Sequence, residues 1–283
     1  MKSSLSECTL VENIGRYLLI LFSIDTRDLL QDVKYIDKEW KMDLEVKQVF
    51  FSYGDVLALD GISFSANRGQ IVGLVGENGA GKSTIIKNIY RYLTPDSGSI
   101  TLDGKDIFTY PSGAYPVSYI PDVPVFYEEL SLLEHLCFTK AIFPQGDSSI
   151  NEMLDKLDMK EHQNKIPAAL SKGTRQKLMI AMALMREYEL LIADEPFSGL
   201  DPKQIATLKT LLLEQKEKGK IILLSSHLLD VTEYICDQYV VVKNGKCLLS
   251  GSKQELLSAT QLPAGSTMEA VYLRLVEQDE MSG

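Results

Sequence analysis

The chain has 283 residues, enough to bury a hydrophobic core in one large domain or two modest ones. Its hydrophobic fraction of 45% and charged fraction of 24% are ordinary for a globular protein. The formal net charge of -10 argues against general nucleic-acid binding, which requires a basic surface.

The first 41 residues differ from the rest of the chain, because they show no rhythm of turns and strands. We predict that 1–41 is an N-terminal extension in which Cys8 to Leu30 has the spacing of a short amphipathic helix. Its apolar run, Tyr17 to Phe22, is far shorter than the roughly 20 residues that span a bilayer. Glu7 and Glu12 interrupt any signal peptide. We therefore expect a cytoplasmic chain unless a partner holds it at the membrane.

An alternating pattern begins at Leu44. Leu44 to Tyr53 and Leu57 to Phe64 are rich in strand-forming residues, and Gly54-Asp55 suits the turn between them. Ile71 to Val75 is a short, continuous apolar run, which is typical of a buried parallel strand. A helix is expected to follow from about Lys82 to Tyr92.

The remainder of the chain predicts a mostly helical segment and then a return to alternating strands and helices. The expected elements are a turn at Thr94 to Gly98, a strand at Ile100 to Leu102, helices within 122–187, strands at Leu190 to Ala193 and Ile221 to Leu224, a helix at Pro202 to Lys218, an Asn-Gly hairpin at Val240 to Leu249, and helices at Gln254 to Ser258 and Met268 to Val276.

A glycine-rich loop joins the buried strand to the helix after it. Its sequence, Gly-Glu-Asn-Gly-Ala-Gly-Lys-Ser, matches the phosphate-binding P-loop pattern. We expect Lys82 to reach the outer phosphates, Ser83 to ligate Mg²⁺ and Thr84 to add a hydrogen bond. A plain tight turn is the alternative, but the flanking strand and helix favour nucleotide binding. The predicted phosphate-binding residues are Gly76, Glu77, Asn78, Gly79, Ala80, Gly81, Lys82, Ser83 and Thr84.

Two carboxylates end a second apolar strand, Leu190 to Ala193. Asp194 is suited to hold Mg²⁺ through water, and Glu195 to orient or deprotonate the water that attacks the γ-phosphate. Acidic residues at a strand end often only cap the next element. Beside a P-loop, however, this pair predicts ATP hydrolysis, with Glu195 and Lys82 among the catalytic residues.

The segment Leu170-Ser171-Lys172-Gly173-Thr174 precedes a predicted helix from Arg175 to Met185, and Ser171 is a suitable N-cap. Here the chain resembles the ABC ATPases, whose signature motif is usually Leu-Ser-Gly-Gly-Gln. Lys172 and Thr174 depart from that motif. The resemblance implies that Ser171 and Gly173 grip the γ-phosphate of a nucleotide bound to the other subunit. Lys172 either adds positive charge there or faces solvent.

The other motifs of the family stand in the expected order between Leu44 and Gly251. Tyr53 matches the aromatic residue that stacks on adenine, although a strand tyrosine can also be a core residue. Ser198 to Pro202 resembles the D-loop, which communicates across the dimer. His227 matches the switch histidine, which the family uses in catalysis.

One position departs from the family. Tyr119-Ile120-Pro121-Asp122 occupies the place of the Q-loop, where the family has Gln or Glu, so the resemblance implies that Asp122 is a metal ligand. The alternative is that Asp122 caps the turn between Pro121 and Pro124. Val125 to Leu136 is similar to the stretch after this loop in ABC-2-type and Ecs-like exporter ATPases. Residues 268–276 resemble the C-terminal helix of the same subgroup.

The resemblance implies an α/β P-loop NTPase of the ABC ATPase fold, with a RecA-like core, an N-terminal antiparallel β piece and an inserted helical subdomain at about 122–187. The expected ATPase domain is 42–251, followed by a helical tail at 252–283. The implied ligands are ATP and Mg²⁺. The implied partners are a second ABC ATPase subunit, identical or different, and a separate transmembrane permease, with no nucleic acid. The chain would then work as an exporter ATPase, peripheral on the inner face of the cell membrane.

Two other classes fit less well. ABC proteins that act on ribosomes carry two cassettes in one chain, and DNA-repair relatives split the cassette with a long coiled coil. This sequence has one cassette and no such coil. The second class is a different P-loop enzyme, such as a GTPase or a small-molecule kinase. A GTPase would need an Asn-Lys-x-Asp element, which is absent. Neither class explains the signature segment at 170–174.

Overall fold

The computed structural model describes residues 43–111, 113–146 and 148–282, so the predicted extension at 1–41 lies outside the described residues. The described chain divides into two units. We call residues 43–122, 188–198 and 208–282 the core unit, and residues 123–187 and 199–207 the helical unit. None of the helices in the described ranges is long and apolar enough to cross a membrane.

The first sheet of the core unit is antiparallel and has four strands in the order β2-β1-β4-β5. Its strands are β1 at Asp43–Tyr53, β2 at Val56–Asn67, β4 at Ser97–Leu102 and β5 at Lys105–Asp106. The two strands predicted from the alternating pattern are confirmed. This sheet is the expected antiparallel β piece.

The second sheet has six strands in the order β10-β9-β3-β8-β7-β6. Its strands are β3 at Ile71–Val75, β6 at Val117–Ile120, β7 at Leu190–Asp194, β8 at Ile221–Ser225, β9 at Gln238–Lys243 and β10 at Lys246–Gly251. All neighbours are parallel except the β9-β10 hairpin at the edge. The fully buried β3, β7 and β8 explain why these strands appear as continuous apolar runs.

The pairing register places the ends of three strands at one edge of this sheet. Leu74 of β3 pairs with Ser225 of β8, and Asp194 of β7 pairs with the same serine. Because the strands are parallel, the residues that follow them emerge side by side at their carboxyl ends, where α/β sheets bind ligands. Those residues are the P-loop, Glu195 and His227.

The core unit has a hydrophobic cluster that joins its two sheets and a second cluster on the opposite face of the six-stranded sheet. The second cluster combines Val75 and Val241 with residues from two C-terminal helices. The helices of the described chain are α1 at Lys82–Ile89, α2 at Leu132–Ile142, α3 at Ile150–Lys156, α4 at Lys172–Leu184, α5 at Pro202–Glu217, α6 at Leu229–Thr232, α7 at Lys253–Thr260 and α8 at Met268–Ser282.

The structure corrects several element boundaries. Helix α1 ends at Ile89 rather than near Tyr92, because Arg91 adopts a left-handed backbone with φ of 66°. Helix α4 begins at Lys172, directly after its N-cap, rather than at Arg175. Helix α8 runs to Ser282, well beyond the predicted end at Val276.

Strand β6 was not predicted, because it has only four residues between Pro116 and Pro121. The Asn-Gly turn is confirmed, since Asn244 and Gly245 have φ of 48° and 74°, as a type I′ turn requires.

Candidate active site

The P-loop is shaped by close contacts with the β9-β10 hairpin. A Cβ atom at Gly76 would lie 2.3 Å from the carbonyl oxygen of Val242, so only glycine fits there. The Gly245 N–H donates to the Ala80 carbonyl at 2.9 Å. Gly81, with φ of 112°, then leads the chain into α1. The hairpin therefore supports the loop from outside the motif itself.

Lys82 is buried inside this loop. Its Nζ atom donates to the carbonyl oxygens of Gly76 at 2.6 Å and of Glu77 at 3.0 Å. Burial lowers the pKa of Lys82, while the nearby carboxylates of Glu195 and Asp194 act in the opposite direction. Lys82 and the two acidic residues that follow the second apolar strand, Asp194 and Glu195, are therefore close enough to interact electrostatically.

Asp194 is buried at the end of β7. Its Oδ1 atom accepts hydrogen bonds from the hydroxyl of Ser83, at 3.4 Å, and from that of Ser225. These oxygens fit Mg²⁺, which prefers hard ligands, takes one or two carboxylates and keeps several waters. In the described ranges, no group of three or more His, Cys, Asp or Glu side chains is arranged to hold a metal ion.

Glu195 is held in an unusual backbone conformation, with φ of 48°. Its N–H donates to the hydroxyl of Ser225 at 3.0 Å and lies 3.2 Å from the Ser225 carbonyl oxygen. Its Oε2 atom lies 2.8 Å from Nδ1 of His227. A left-handed backbone at a residue other than glycine costs about 1–3 kcal/mol and persists only where its surroundings enforce it. The Ser225 contacts supply that enforcement.

The site contains two further residues whose roles the motifs do not indicate. The hydroxyl of Ser225 bridges Asp194 and Glu195, which no motif would reveal. Tyr119 on β6 hydrogen-bonds to Asp194. Burial, followed by the charges of Asp194 and Asp122, raises the pKa of Tyr119, so its phenol stays a hydrogen-bond donor. The pairing of β6 with β7, which brings Tyr119 here, is not visible in the sequence.

Asp122 is exposed and follows β6. Its charge acts on the Tyr119 phenol together with that of Asp194, so the two carboxylates lie near the same hydroxyl group. This placement is compatible with a role at the metal, and the metal-ligand role of Asp122 stays a prediction.

Tyr53 lies at the end of β1, and 47% of its surface is exposed. Its ring meets the edge of the buried Phe51 ring, with centroids 4.9 Å apart. Tyr53 is therefore not a core residue, so the core alternative is wrong. Its stacking on adenine stays a prediction.

The signature segment belongs to the helical unit and begins α4. The Ser171 hydroxyl accepts the N–H of Thr174 at 3.1 Å, which confirms the predicted N-cap. A Cβ atom at Gly173 would lie 2.8 Å from Oε1 of Gln204 and 3.3 Å from the Gly199 carbonyl oxygen. Lys172 is exposed, and its methylene groups lie beside Gly199, so both alternatives for its charge stay open.

Known proteins are similar to this chain over the region that contains the P-loop and Glu195. Residues 59–198 match the family model described as ABC transporter. The ABC-type transporter ATP-binding protein EcsA of Bacillus subtilis (strain 168) is 37% identical over 241 residues, which cover 83% of this chain and 97% of EcsA. The chain belongs to the ABC transporter family, as an ATP-binding subunit.

Other ABC proteins support the assignment. The Nod factor export ATP-binding protein I of Rhizobium sp. (strain N33) is 30% identical over 256 residues, 86% of this chain and 84% of that protein. A solved structure of an ATP-binding subunit of an ABC transporter superposes with a TM-score of 0.77 and 36% identity, covering 82% of this chain and 99% of the other. The predicted ABC ATPase fold is confirmed. As an ABC ATPase, the chain hydrolyses ATP in a reaction coupled to transport.

Proposed function

We propose that this ABC ATPase drives a separate transmembrane permease, as an exporter, through ATP-dependent closure of a dimer. The observation that carries the catalytic part is the convergence of four groups at one sheet edge. Lys82 lies in the field of Asp194 and Glu195, and His227 contacts Glu195. Lys82 is the cation for phosphate and Asp194 the ligand for a divalent ion. Glu195 is the base, and His227 orients it.

Each group has a defined task in hydrolysis. Lys82 moves its ammonium from loop carbonyls to the outer phosphates of ATP, and the loop N–H groups bind the same phosphates. Ser83 and Asp194 would hold Mg²⁺, which would neutralise charge on the phosphates. Glu195 takes a proton from the attacking water, and His227 orients that carboxylate. Tyr53 stacks on adenine.

The helical unit supplies the dimer contact. Helix α4 has 13 residues and begins with the capped Ser171 and the closely packed Gly173. Its N-terminal N–H groups attract an anion, and glycine allows close approach. In the proposed dimer these two residues contact the γ-phosphate of ATP bound to the second subunit.

The stretch after Asp122 is suited to the permease. Val123, Val125 and Tyr127 are 67%, 80% and 56% exposed, which is unusual for apolar side chains so close in sequence. An apolar partner surface would cover them. That partner places the chain on the inner face of the cell membrane. Export is supported by the similarity to the Nod factor export protein. It is also supported by the resemblance of Val125 to Leu136 to the same stretch of exporter ATPases.

The dimer is tested with Glu195→Gln, which keeps the shape of the site but removes the base. We expect size-exclusion chromatography with light scattering to show a dimer in Mg-ATP and a monomer without it. Lys82→Ala, combined with Glu195→Gln, should stay monomeric because it binds ATP poorly. A Glu195→Gln variant that remains monomeric at saturating Mg-ATP would contradict dimer closure.

The permease contact is tested by co-purification with a multi-spanning membrane chain identified by mass spectrometry. Val125→Asp should lose this chain, because a charge opposes burial in an apolar interface. Tyr234→Asp changes an equally exposed residue, 81% accessible, in the core unit and should retain it. Equal recovery with both variants would remove the 123–127 stretch from the interface.

A further inference from the structure

Helix α8 packs behind the strand that presents the P-loop. Its buried residues Met268, Val271 and Tyr272 form one hydrophobic cluster with Val75. Val75 is the last residue of β3 and directly precedes the loop. The C-terminal helix therefore shares a core with the base of the nucleotide site.

A second connection runs through the β9-β10 hairpin. Nζ of Lys243, at the end of β9, lies 3.2 Å from Asp279 and 3.1 Å from Glu280 of α8. Two residues further on, the backbone N–H of Gly245 donates a hydrogen bond to the carbonyl oxygen of Ala80 in the P-loop. The hairpin thus links α8 to the loop from a second side.

Tyr272 brings α8 to the loop itself. It is 8% exposed, and its buried hydroxyl has no hydrogen-bond partner among the described residues. A buried hydroxyl is costly unless something pairs with it. The residue that acts on this phenol is Glu77, whose backbone and carboxylate both lie close to it, although neither contact meets the criteria for a formed hydrogen bond. Burial, and then the Glu77 carboxylate, raises the pKa of Tyr272, so the phenol keeps its proton.

We propose that Tyr272 is a positioning residue of the ATP site, whose hydroxyl donates a hydrogen bond to the Glu77 carboxylate when the P-loop binds nucleotide. The Lys82 ammonium bonds the Glu77 carbonyl at 3.0 Å. Once that ammonium turns to phosphate, Glu77 is released from this bond and can move against Tyr272. The phenol then holds an anionic side chain away from the phosphates and fixes the second residue of the loop.

The inference rests on the proposed nucleotide-binding role of the P-loop, and Tyr272→Phe tests it. Phenylalanine keeps the ring in its hydrophobic cluster and removes only the hydroxyl. We expect the Kd for ATP, measured by calorimetry, to rise roughly three- to tenfold, the loss of one ordinary hydrogen bond. The kcat at saturating ATP should be unchanged. The Tm of the ligand-free protein should be equal or higher, because an unpaired hydroxyl is gone.

Two controls make the result specific. Tyr234→Phe makes the same change at a tyrosine that is 81% exposed and should leave the Kd unchanged. In a Glu77→Ala background, Tyr272→Phe should produce no further rise in Kd, because its partner is already absent.

The inference is overturned by an unchanged Kd in Tyr272→Phe, whether or not Tm falls. It is also overturned by an equal rise in the wild-type and Glu77→Ala backgrounds. Lys82→Ala distinguishes failure of this inference from failure of the proposed nucleotide-binding role of the P-loop. If wild type and Lys82→Ala bind ATP equally, the P-loop role itself is wrong. If only Lys82→Ala loses binding while Tyr272→Phe matches wild type, this inference alone falls.

Discussion

Nδ1 of His227 lies 2.8 Å from Oε2 of Glu195, and the backbone N–H of His227 approaches the same oxygen at 3.4 Å. The N–H of Glu195 is in turn bonded to Ser225. The side chain and the backbone of Glu195 are therefore held by different partners, which fixes the direction of its carboxylate. In the proposed role of Glu195 as the base, a carboxylate held in this way needs little reorganisation when it activates water.

We expect His227→Ala to lower kcat for ATP hydrolysis roughly 10- to 100-fold, the loss of one hydrogen bond to a charged group. Calorimetry should show the affinity for ATP little changed, because the loop and Lys82 are untouched. His162→Ala, in the helical unit, is the matched control and should hydrolyse ATP like wild type. An undiminished kcat in His227→Ala would show that Glu195 is oriented without its histidine neighbour.

Asp122→Ala should raise the Mg²⁺ concentration required for half-maximal hydrolysis. The carboxylate is a hard ligand, and it lies near the Tyr119 phenol that also bonds Asp194. Asp122→Glu keeps the charge on a longer side chain and should be tolerated better. An unchanged Mg²⁺ titration in Asp122→Ala would favour the turn-capping alternative.

Lys82, Asp194 and Glu195 are predicted from motifs that follow two apolar strands, whereas His227 is predicted from the resemblance to the family. No motif indicates a role for Ser225, and the Q-loop segment that contains Tyr119 points to Asp122 and not to the tyrosine. Their roles arise from strand pairing, which joins residues far apart in sequence. Packing between elements that are far apart in the sequence is equally hidden from local pattern.

The packing of α8 against the base of the P-loop depends on which face of the sheet the C-terminal helix covers. Local pattern does not determine that choice. The early end of α1 has a local cause, but the left-handed backbone at Arg91 is not signalled by a glycine or asparagine.

Stability should depend on pH through His135, which is completely buried in the helical unit. Its Nε2 atom accepts the Tyr127 N–H at 3.1 Å, and its Nδ1 atom lies 2.8 Å from the Ser131 carbonyl oxygen. The ring is therefore neutral, with its proton on Nδ1. Burial is the main cause that lowers the pKa of His135.

The difference in proton binding between the folded and unfolded chain sets the direction in which stability changes with pH. Below the unfolded pKa of about 6.5, the unfolded chain binds a proton that the folded chain rejects. The contribution to the free energy of unfolding is thus complete above that value and is lost as pH falls toward the folded pKa. We expect Tm to fall across this window in wild type and to fall less in His135→Gln. His162→Gln should keep the wild-type slope. A slope in His135→Gln equal to that of wild type would assign the pH dependence to other groups.

The most direct test of Glu195 as the catalytic base is steady-state hydrolysis of Mg-ATP by wild type and Glu195→Gln, with ATP binding measured on the same samples. A positioned general base contributes roughly 10²–10⁴-fold to rate. We predict turnover by wild type, a loss of at least about 100-fold in Glu195→Gln, and ATP binding in both. Equal turnover by the two proteins would contradict the assignment of Glu195 as the base at this site.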